Sequence, residues 1–513
     1  MIDSIATLER ADILAALTDL LGTAKIDTDE AALREASVDR FKKYQSVHGI
    51  HDAPMPVAIV YAESTEDVAA VLRFANDNLV NVVPRTGRTG TEGGLETSVV
   101  DTIVLDGSRM DRVLSIDPED MQVTVQAGVQ LQVLEDLLRE QGLTTGHSPQ
   151  SKPLAQYGGL VATRSIGQFS TLYGAIEDMV MGLEAVFPGG EVTRIKSVPR
   201  RAAGPDIRHV VIGNEGALCF VTEVTIKVFK YMPENNRFHG ALVDDMRTGI
   251  AILREVITNG FHPSVVRLYS PEDANQHFAH FSKGKCVVVF VAEGPAGIVG
   301  ATSDEIDRVI AQHPHETVDP SLIEAWFDNL NWGQDKIDAE KRTMLESQQL
   351  GYTTEVSADW SAVGDVYDAV MRRVREEYPH ADDLTMLGGH SSHSYQTGTN
   401  MYFVYDYRID CTPEQEIEKY HIPLNAIIVE EALRHGGSMV HHHGIGKYRT
   451  PWTLAEHGTA YPILAGLKEA FDPNGIMNKG TIFPVRGAIQ PAAENAATAA
   501  AASAAAASAA PRA

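Results

Sequence analysis

The segment at residues 84–94, Pro-Arg-Thr-Gly-Arg-Thr-Gly-Thr-Glu-Gly-Gly, constrains the fold more than any other stretch of the chain. It follows the apolar run Leu79, Val80, Val82 and Val83, which reads as a strand. A helix reads before that strand: Ser64 and Asp67 stand at capping-box spacing, and Val68, Val71, Leu72 and Ala75 recur on one face. A glycine-rich turn after a strand leaves several backbone N–H groups pointing one way with no side chain over them. Such a nest takes phosphate oxygens, although a single run of this kind also serves as an ordinary tight loop. The dinucleotide fingerprint G-x-G-x-x-G opens a helix, whereas here the strand-like residues 99–105 follow, which argues against a nicotinamide Rossmann site.

The 513 residues suffice for two domains with sizeable cores. The balance of 43 Lys+Arg against 69 Asp+Glu, a net charge of −26, excludes the basic footprint that nucleic acid or an anionic membrane requires. An anionic substrate must then be held by a local cationic pocket. Cys219, Cys286 and Cys411 are widely spaced, form no metal or redox motif and suggest a reducing compartment. With Asp3, Glu9 and Asp12 near the start there is no signal-peptide pattern, and no apolar run reaches membrane length, so a cytoplasmic protein without a transmembrane segment is expected.

Along the chain, residues 1–53 read as a helical segment with Leu8, Ile13, Leu14, Leu17 and Leu21 at helical spacing. Residues 54–232 carry short strands, including 99–105, 112–116 and 121–127 as an expected antiparallel group, and a helix at 131–141. Further small-residue loops follow at 146–151, 158–167, 204–207 and 213–218, too many for hairpin turns alone. Residues 233–420 alternate strands (264–269, 286–292) with amphipathic helices (248–259, 304–312, 361–377), suggesting an α+β substrate domain. A helix over 416–434, stopped by Gly436 and Gly437, opens a C-terminal segment at 421–485, and the Ala-rich residues 486–513 read as a disordered tail.

Six motifs in order carry a resemblance: Pro-x-x-Gly-x-Thr-x-x-x-Gly-Gly, Gly-His-x-Pro-x-Ser, Gly-Gly-x-x-x-Thr-Arg, Tyr-Gly-x-x-Glu-Asp, Gly-Pro-Asp-Ile and Gly-x-Glu-Gly. Residues 56–231 resemble the FAD-binding domain of the vanillyl-alcohol oxidase/p-cresol methylhydroxylase superfamily. The resemblance implies two α+β subdomains clasping FAD. The implied contacts are Pro84, Arg85, Thr86, Gly87, Arg88, Thr89, Gly90, Ser151, Gly158, Thr163, Arg164, Gly167, Glu215 and Gly216. Thr86 and Arg88 stand where that family usually has glycines. No tethering residue can be matched, so noncovalent FAD is expected.

The second exceptional stretch is His441-His442-His443-Gly444-Ile445-Gly446-Lys447. On a strand, His441 and His443 would share one direction and His442 would take the other. Candidate partners are Arg267, Lys341 or Arg342, His390, Tyr402 and Tyr407. The run, the segment around Arg267 and Glu355-Val356-Ser357-Ala358-Asp359-Trp360 resemble the alkyldihydroxyacetonephosphate synthase branch of the superfamily. That branch implies an active-site tyrosine at Tyr402, a histidine set at His441, His442 and His443, and headgroup arginines at Arg267 and at Lys341 or Arg342. A sister branch, the D-lactate and D-2-hydroxyacid dehydrogenases, holds a divalent metal beside the flavin. Here Tyr402 replaces one histidine of that branch and His442 replaces its glutamate. His390, His442 and His443 are metal ligands by type, but no carboxylate is evident among them, and no metal is expected.

The fold expected is therefore α+β, with a two-subdomain FAD-binding domain and an α+β cap over the flavin. The activity expected is oxidation of a hydroxyl-bearing carbon of a small anionic substrate, such as a 2-hydroxy acid. His443 or Tyr402 would take the proton, and Arg267, Lys341, Arg342 and His390 would bind the substrate. The electron acceptor (oxygen, a quinone or a carrier protein) stays open, as does a homodimer. The alternatives are ether-lipid synthesis without net redox and, ranked lower, a non-enzymatic FAD-binding scaffold.

Overall fold

The computed structural model describes residues 2, 4–331 and 333–485, so the Ala-rich tail at 486–513 lies outside the described residues. The first unit comprises α1 (Arg10–Leu21), β1 (Ile26–Asp27), β2 (Ala58–Tyr61), α2 (Thr65–Asp77), β3 (Val82–Arg85) and β4 (Ile103–Asp106). Helix α2 starts where the Ser64 side chain accepts the Asp67 N–H at 3.2 Å. It buries Val68, Val71, Leu72 and Ala75 against the sheet, and each large side chain so buried is worth roughly 1.5–3 kcal/mol. Strands β2, β4 and β3 run parallel in that order, with β1 antiparallel to β2.

The expected antiparallel group at 99–105, 112–116 and 121–127 needs correction. Only β5 (Val113–Asp117) and β6 (Gln122–Gln126) pair antiparallel. Strand β4 instead enters the parallel sheet between β2 and β3, with all its residues buried. A central parallel strand is covered on both faces and carries no alternation that distinguishes it from a hairpin arm. The second unit is the sheet β5-β6-β9-β7-β8, with β7 at Val180–Val186, β8 at Val192–Ile195 and β9 at Phe220–Lys227.

The third unit is a seven-stranded antiparallel sheet. Its strands are β10 (Arg237–Val243), β11 (Val265–Tyr269), β12 (Cys286–Ala292), β13 (Glu316–Val318), β14 (Gln349–Asp359), β15 (Leu384–Ser391) and β16 (Gly398–Arg408), in the order β13-β10-β12-β11-β15-β16-β14. The helices α3 (Met246–Thr258), α4 (Ala296–Ile310), α5 (Gln334–Ser347), α6 (Val363–Glu377) and α7 (Ile422–Arg434) accompany it. Helix α4 begins eight residues before the expected 304, because Pro295 opens it and Gly297 and Gly300 are tolerated on its surface. A π-helical turn, Ile417–His421, precedes α7 in place of one continuous helix.

Segments near both ends of the described residues join the first unit. Ile13 and Leu17 of α1 pack with Val60, Val68 and Leu72, and Met477 bridges to Val82. Among the described residues no helix is long and apolar enough to cross a membrane.

Candidate active site

A cavity of about 870 Å³ opens where the three sheets meet, and the two exceptional sequence stretches both line it, meeting where the Lys447 N–H donates to Glu92 O at 2.8 Å. One part of its wall is Pro84 and Arg85 at the end of β3 and Thr86, Gly87, Arg88, Thr89 and Gly90 of the loop that follows, joined by Ser151, Gly158, Thr163, Glu215 and Gly216. Gly87 is required by a close approach: a Cβ there would lie 2.7 Å from Gln156 N and 2.9 Å from Leu154 O. At Gly90 a Cβ would meet nothing within 4 Å, so bare backbone faces the cavity. Among the described residues, the N–H groups from Thr86 to Thr91 find no acceptor within the chain. Unpaired donors on a loop without side-chain cover suit an anion.

Thr86 uses its hydroxyl to accept the Gly159 N–H at 3.0 Å, and Arg88 adopts φ +57°, so both non-glycine positions are accommodated. Arg85 pairs with Asp106 at 2.6 Å and is structural in its charge. Arg164, paired with Glu177 at 2.9 Å and half exposed, lies outside the cavity wall, as does Gly167, which packs on Ser148. Glu215 accepts the N–H groups of Ile445 at 2.8 Å and Gly446 at 2.7 Å, tying the loop after the histidine run to this part of the wall. Burial pushes its carboxyl up to about 7.

The other part of the wall is built from side chains. Arg267 on β11 is buried, donates to the Tyr269 hydroxyl at 2.6 Å and to Gln168, and lies 5.3 Å from the Trp326 ring. Its buried Nε has no partner among the described residues. A buried donor without a partner is a site for an anion or a carbonyl. His390 on β15 holds Asp273 through Nδ1 at 2.6 Å, and its ring stacks on Tyr402 of β16 at 4.5 Å. The Tyr402 hydroxyl contacts His442 Nε2 at 2.5 Å.

The histidine run is not a strand, and the expected alternation of direction fails. His442 and His443 both line the cavity, whereas His441 lies behind the wall. The cause is Glu355 on β14, fully buried, whose carboxylate accepts the backbone N–H groups of His441, His442 and His443. Arg449 pairs with it at 3.0 Å and with Glu92 at 3.1 Å. Burial pushes Glu355 up, but Arg449, His443, His442 and the backbone donors outweigh it and hold the carboxyl well below the usual range. Burial also lowers His442 to about 3 and His443 to about 4, so both imidazoles are neutral near pH 7. Tyr402 is raised by burial and by Glu355, which keeps it a phenol. His443 Nδ1 lies 3.6 Å from Glu355 and 3.8 Å from Glu92 without a hydrogen bond.

Lys341 and Arg342 do not reach the cavity. They are exposed on α5, whose Lys336, Ile337 and Glu340 line the wall instead. Tyr407 is buried away from it against Glu416. Residues not anticipated from sequence also line the wall: Arg40, Phe41 and Lys43 from the N-terminal segment, and Gln168 and His393. A buried His393 after the Gly389-His390 pair was a visible signal; the N-terminal residues carried none.

Two family models match: an FAD binding domain at residues 56–196 and the FAD linked oxidases, C-terminal domain at residues 232–482. The chain is 60% identical over 481 residues to an uncharacterized FAD-linked oxidoreductase, YgcU, of Escherichia coli K12, covering 93% of this chain and 99% of that protein. This chain belongs to the FAD-linked oxidoreductases.

As a member of that family it is an enzyme that uses FAD. More distant relatives include alkyldihydroxyacetonephosphate synthase of Dictyostelium discoideum, 24% identical over 84% of this chain and 73% of that one. Another is D-lactate dehydrogenase [cytochrome] 1 of Saccharomyces cerevisiae, 28% identical over 86% and 74%. Among solved structures, an alkyldihydroxyacetonephosphate synthase matches with TM-score 0.72 at 20% identity over 93% and 89% of the chains. Substrate-bound p-cresol methylhydroxylase matches with TM-score 0.71 at 17% identity over 93% and 98%. The fold of this oxidoreductase is thus the two-domain α+β architecture of that superfamily. The unpaired N–H groups at residues 86–91 and the open face of Gly90 fit the cofactor's pyrophosphate.

Proposed function

We propose that this enzyme oxidises the hydroxyl-bearing carbon of a small anionic substrate, a 2-hydroxy acid or a close analogue. FAD, held noncovalently by residues 84–90, Ser151, Gly158, Thr163 and Gly216, supplies the hydride acceptor when bound. The observation that carries the reading is the 2.5 Å contact between Tyr402 and a neutral His442 in the same cavity as Arg267. A substrate hydroxyl gives its proton to the Tyr402 oxygen as the phenol's own proton passes to His442 Nε2. A hydrogen-bonded base pair of this kind contributes about 10²–10⁴-fold. Arg267 anchors the substrate anion through its unpartnered Nε edge, and its guanidinium is a better partner than an ammonium for a planar carboxylate. His390, fixed by Asp273 and stacked on Tyr402, holds the phenol ring in place. The D-lactate dehydrogenase relatives support a hydroxy-acid substrate.

The test is anaerobic mixing of the yellow holoenzyme with a panel of 2-hydroxy acids while flavin absorbance is followed. Bleaching by one of them supports the reading, and an unbleached flavin across the panel removes it. A second reading, ether-lipid synthesis without net redox, is favoured by the pairing of a tyrosine with the histidine run and by the synthase relatives. Under that reading acyl-dihydroxyacetone phosphate exchanges its acyl group for an alcohol and leaves the flavin oxidised at the end.

A further inference from the structure

The Tyr402–His442 contact is one link of a longer chain. His442 Nδ1 lies 2.8 Å from His441 Nδ1, and His441 Nε2 lies 2.7 Å from the Tyr395 hydroxyl. Four side chains thus form an unbroken series in which every ring nitrogen of the two imidazoles is used. It starts at the cavity wall with Tyr402 and His442 and runs behind that wall through His441. Its far end, Tyr395, is partly exposed on the turn between β15 and β16, where Gln396 and Thr397 are exposed. Burial and then the Glu177 carboxylate raise the Tyr395 phenol, and the Ser170 side chain hydrogen-bonds it.

Two facing Nδ1 atoms at 2.8 Å require one proton between them, so neutral His441 and His442 must be opposite tautomers. Two arrangements satisfy the series. In one, Tyr402 O–H donates to His442 Nε2, His442 Nδ1–H donates to His441 Nδ1, and His441 Nε2–H donates to Tyr395. In the other, every donor and acceptor is exchanged. We infer that Tyr402, His442, His441 and Tyr395 form a proton relay that carries the substrate's hydroxyl proton away from the cavity to solvent. The inference rests on the reaction proposed above and gives His441 and Tyr395 positioning roles in it.

The step balances. The substrate proton goes to Tyr402, the Tyr402 proton to His442 Nε2, the His442 Nδ1 proton to His441 Nδ1, the His441 Nε2 proton to Tyr395, and the Tyr395 proton to water. All four groups end neutral in the second arrangement, and the first is restored when a proton enters at Tyr395 and the reverse hops deliver it to the cavity, where reduction of oxygen or a quinone by the reduced enzyme consumes one. Glu355 serves the relay through the backbone, since its bonds to the three histidine N–H groups set the turn that brings the two Nδ1 atoms together. His393, whose ring lies 5.1 Å from His441 and 5.0 Å from His442, uses Nδ1 on Ser170 at 2.8 Å and stands beside the relay. His393, His441 and His442 also form a group of metal-ligand type, and a cation there would replace the shared proton.

Two measurements test the relay on the holoenzyme. The first needs no substrate: nitrogen-15 NMR of histidine-labelled protein reads the tautomer of His441 and His442, assigned with His441→Gln and His442→Gln. Opposite tautomers are expected; two rings of the same tautomer, or one metal ion per chain in elemental analysis that His393→Gln removes, overturn the relay. The second follows flavin bleaching and proton release together in weakly buffered solution with a pH indicator. Proton release in step with bleaching is expected for the wild type. In Tyr395→Phe, which loses only the hydroxyl, release slows roughly tenfold or more while FAD content is unchanged. Release that keeps pace in Tyr395→Phe overturns the relay while leaving the oxidation reading intact. No bleaching in the wild type removes the oxidation reading and leaves the relay to the tautomer result.

Discussion

The two parts of the cavity wall are made of different materials. The loop at 86–91 presents backbone N–H groups without an acceptor among the described residues, with Gly90 bare and Gly87 packed against residues 154–156. The histidine part presents side chains, each locked by a partner far away in sequence: Tyr402 by His442, His390 by Asp273, and the whole run by Glu355. A backbone site tolerates changes of neighbouring side chains and fails when a Cβ intrudes. A side-chain site fails when a distant partner is lost.

The sharpest break of that contrast is Glu355→Gln. The amide would place two protons where the carboxylate now accepts from His441 N–H and Arg449, and it would leave buried Arg449 short of countercharge. A loss of about 3–5 kcal/mol in urea-denaturation stability is expected, and a loss under 1 kcal/mol would refute the locking role. Next is Arg267→Ala, expected to raise KM for the substrate by roughly one to two orders of magnitude, from about 1.5–3 kcal/mol of lost charge-assisted contact. Arg267→Lys should recover little, and full recovery would show that a point charge is enough.

In the backbone part, Gly87→Ala drives a Cβ against Gln156 N and Leu154 O and should cost about 1–3 kcal/mol. Gly90→Ala has open space and should leave the apoprotein's stability within about 0.5 kcal/mol while weakening FAD retention. Equal behaviour of the two variants would erase the distinction between packing and ligand-facing glycines.

The smallest effect concerns His147, buried behind the loops with Nε2 on Ser165 at 3.1 Å. Burial lowers it from 6.5 to about 4. The unfolded chain binds this proton below pH 6.5 and the folded one resists until about pH 4, so its contribution is present above 6.5 and is lost as pH falls towards 4. His147→Gln should therefore flatten the acid side of the stability profile in that window, and an unchanged slope would place the titration elsewhere.

The same division explains what could be read from the chain. Helix α2, its cap at Ser64 and the bare loop after β3 are local patterns, and they read correctly because periodicity and glycine spacing act over a few residues. The place of β4 did not, because insertion of a parallel strand between β2 and β3 is decided by the sheet rather than by the strand. The direction of His441, His442 and His443 was misjudged for a related reason: Glu355, 86 to 88 residues away, sets it. Lys336, Ile337 and Glu340 reach the cavity where Lys341 and Arg342 do not, a placement of α5 on the sheet that spacing taken from a resemblance cannot carry. Arg40, Phe41 and Lys43 were hidden because nothing in a helical leader shows which face will meet a cavity.

The most direct test of the account is the rate of anaerobic flavin reduction by a 2-hydroxy acid in Tyr402→Phe, with FAD content checked on the same sample. The 2.5 Å pairing with His442 predicts a rate lower by about 10²–10⁴-fold at unchanged FAD content. Reduction at the wild-type rate would contradict the assignment of the hydroxyl proton to Tyr402, and a simultaneous loss in His443→Ala alone would hand that proton to His443.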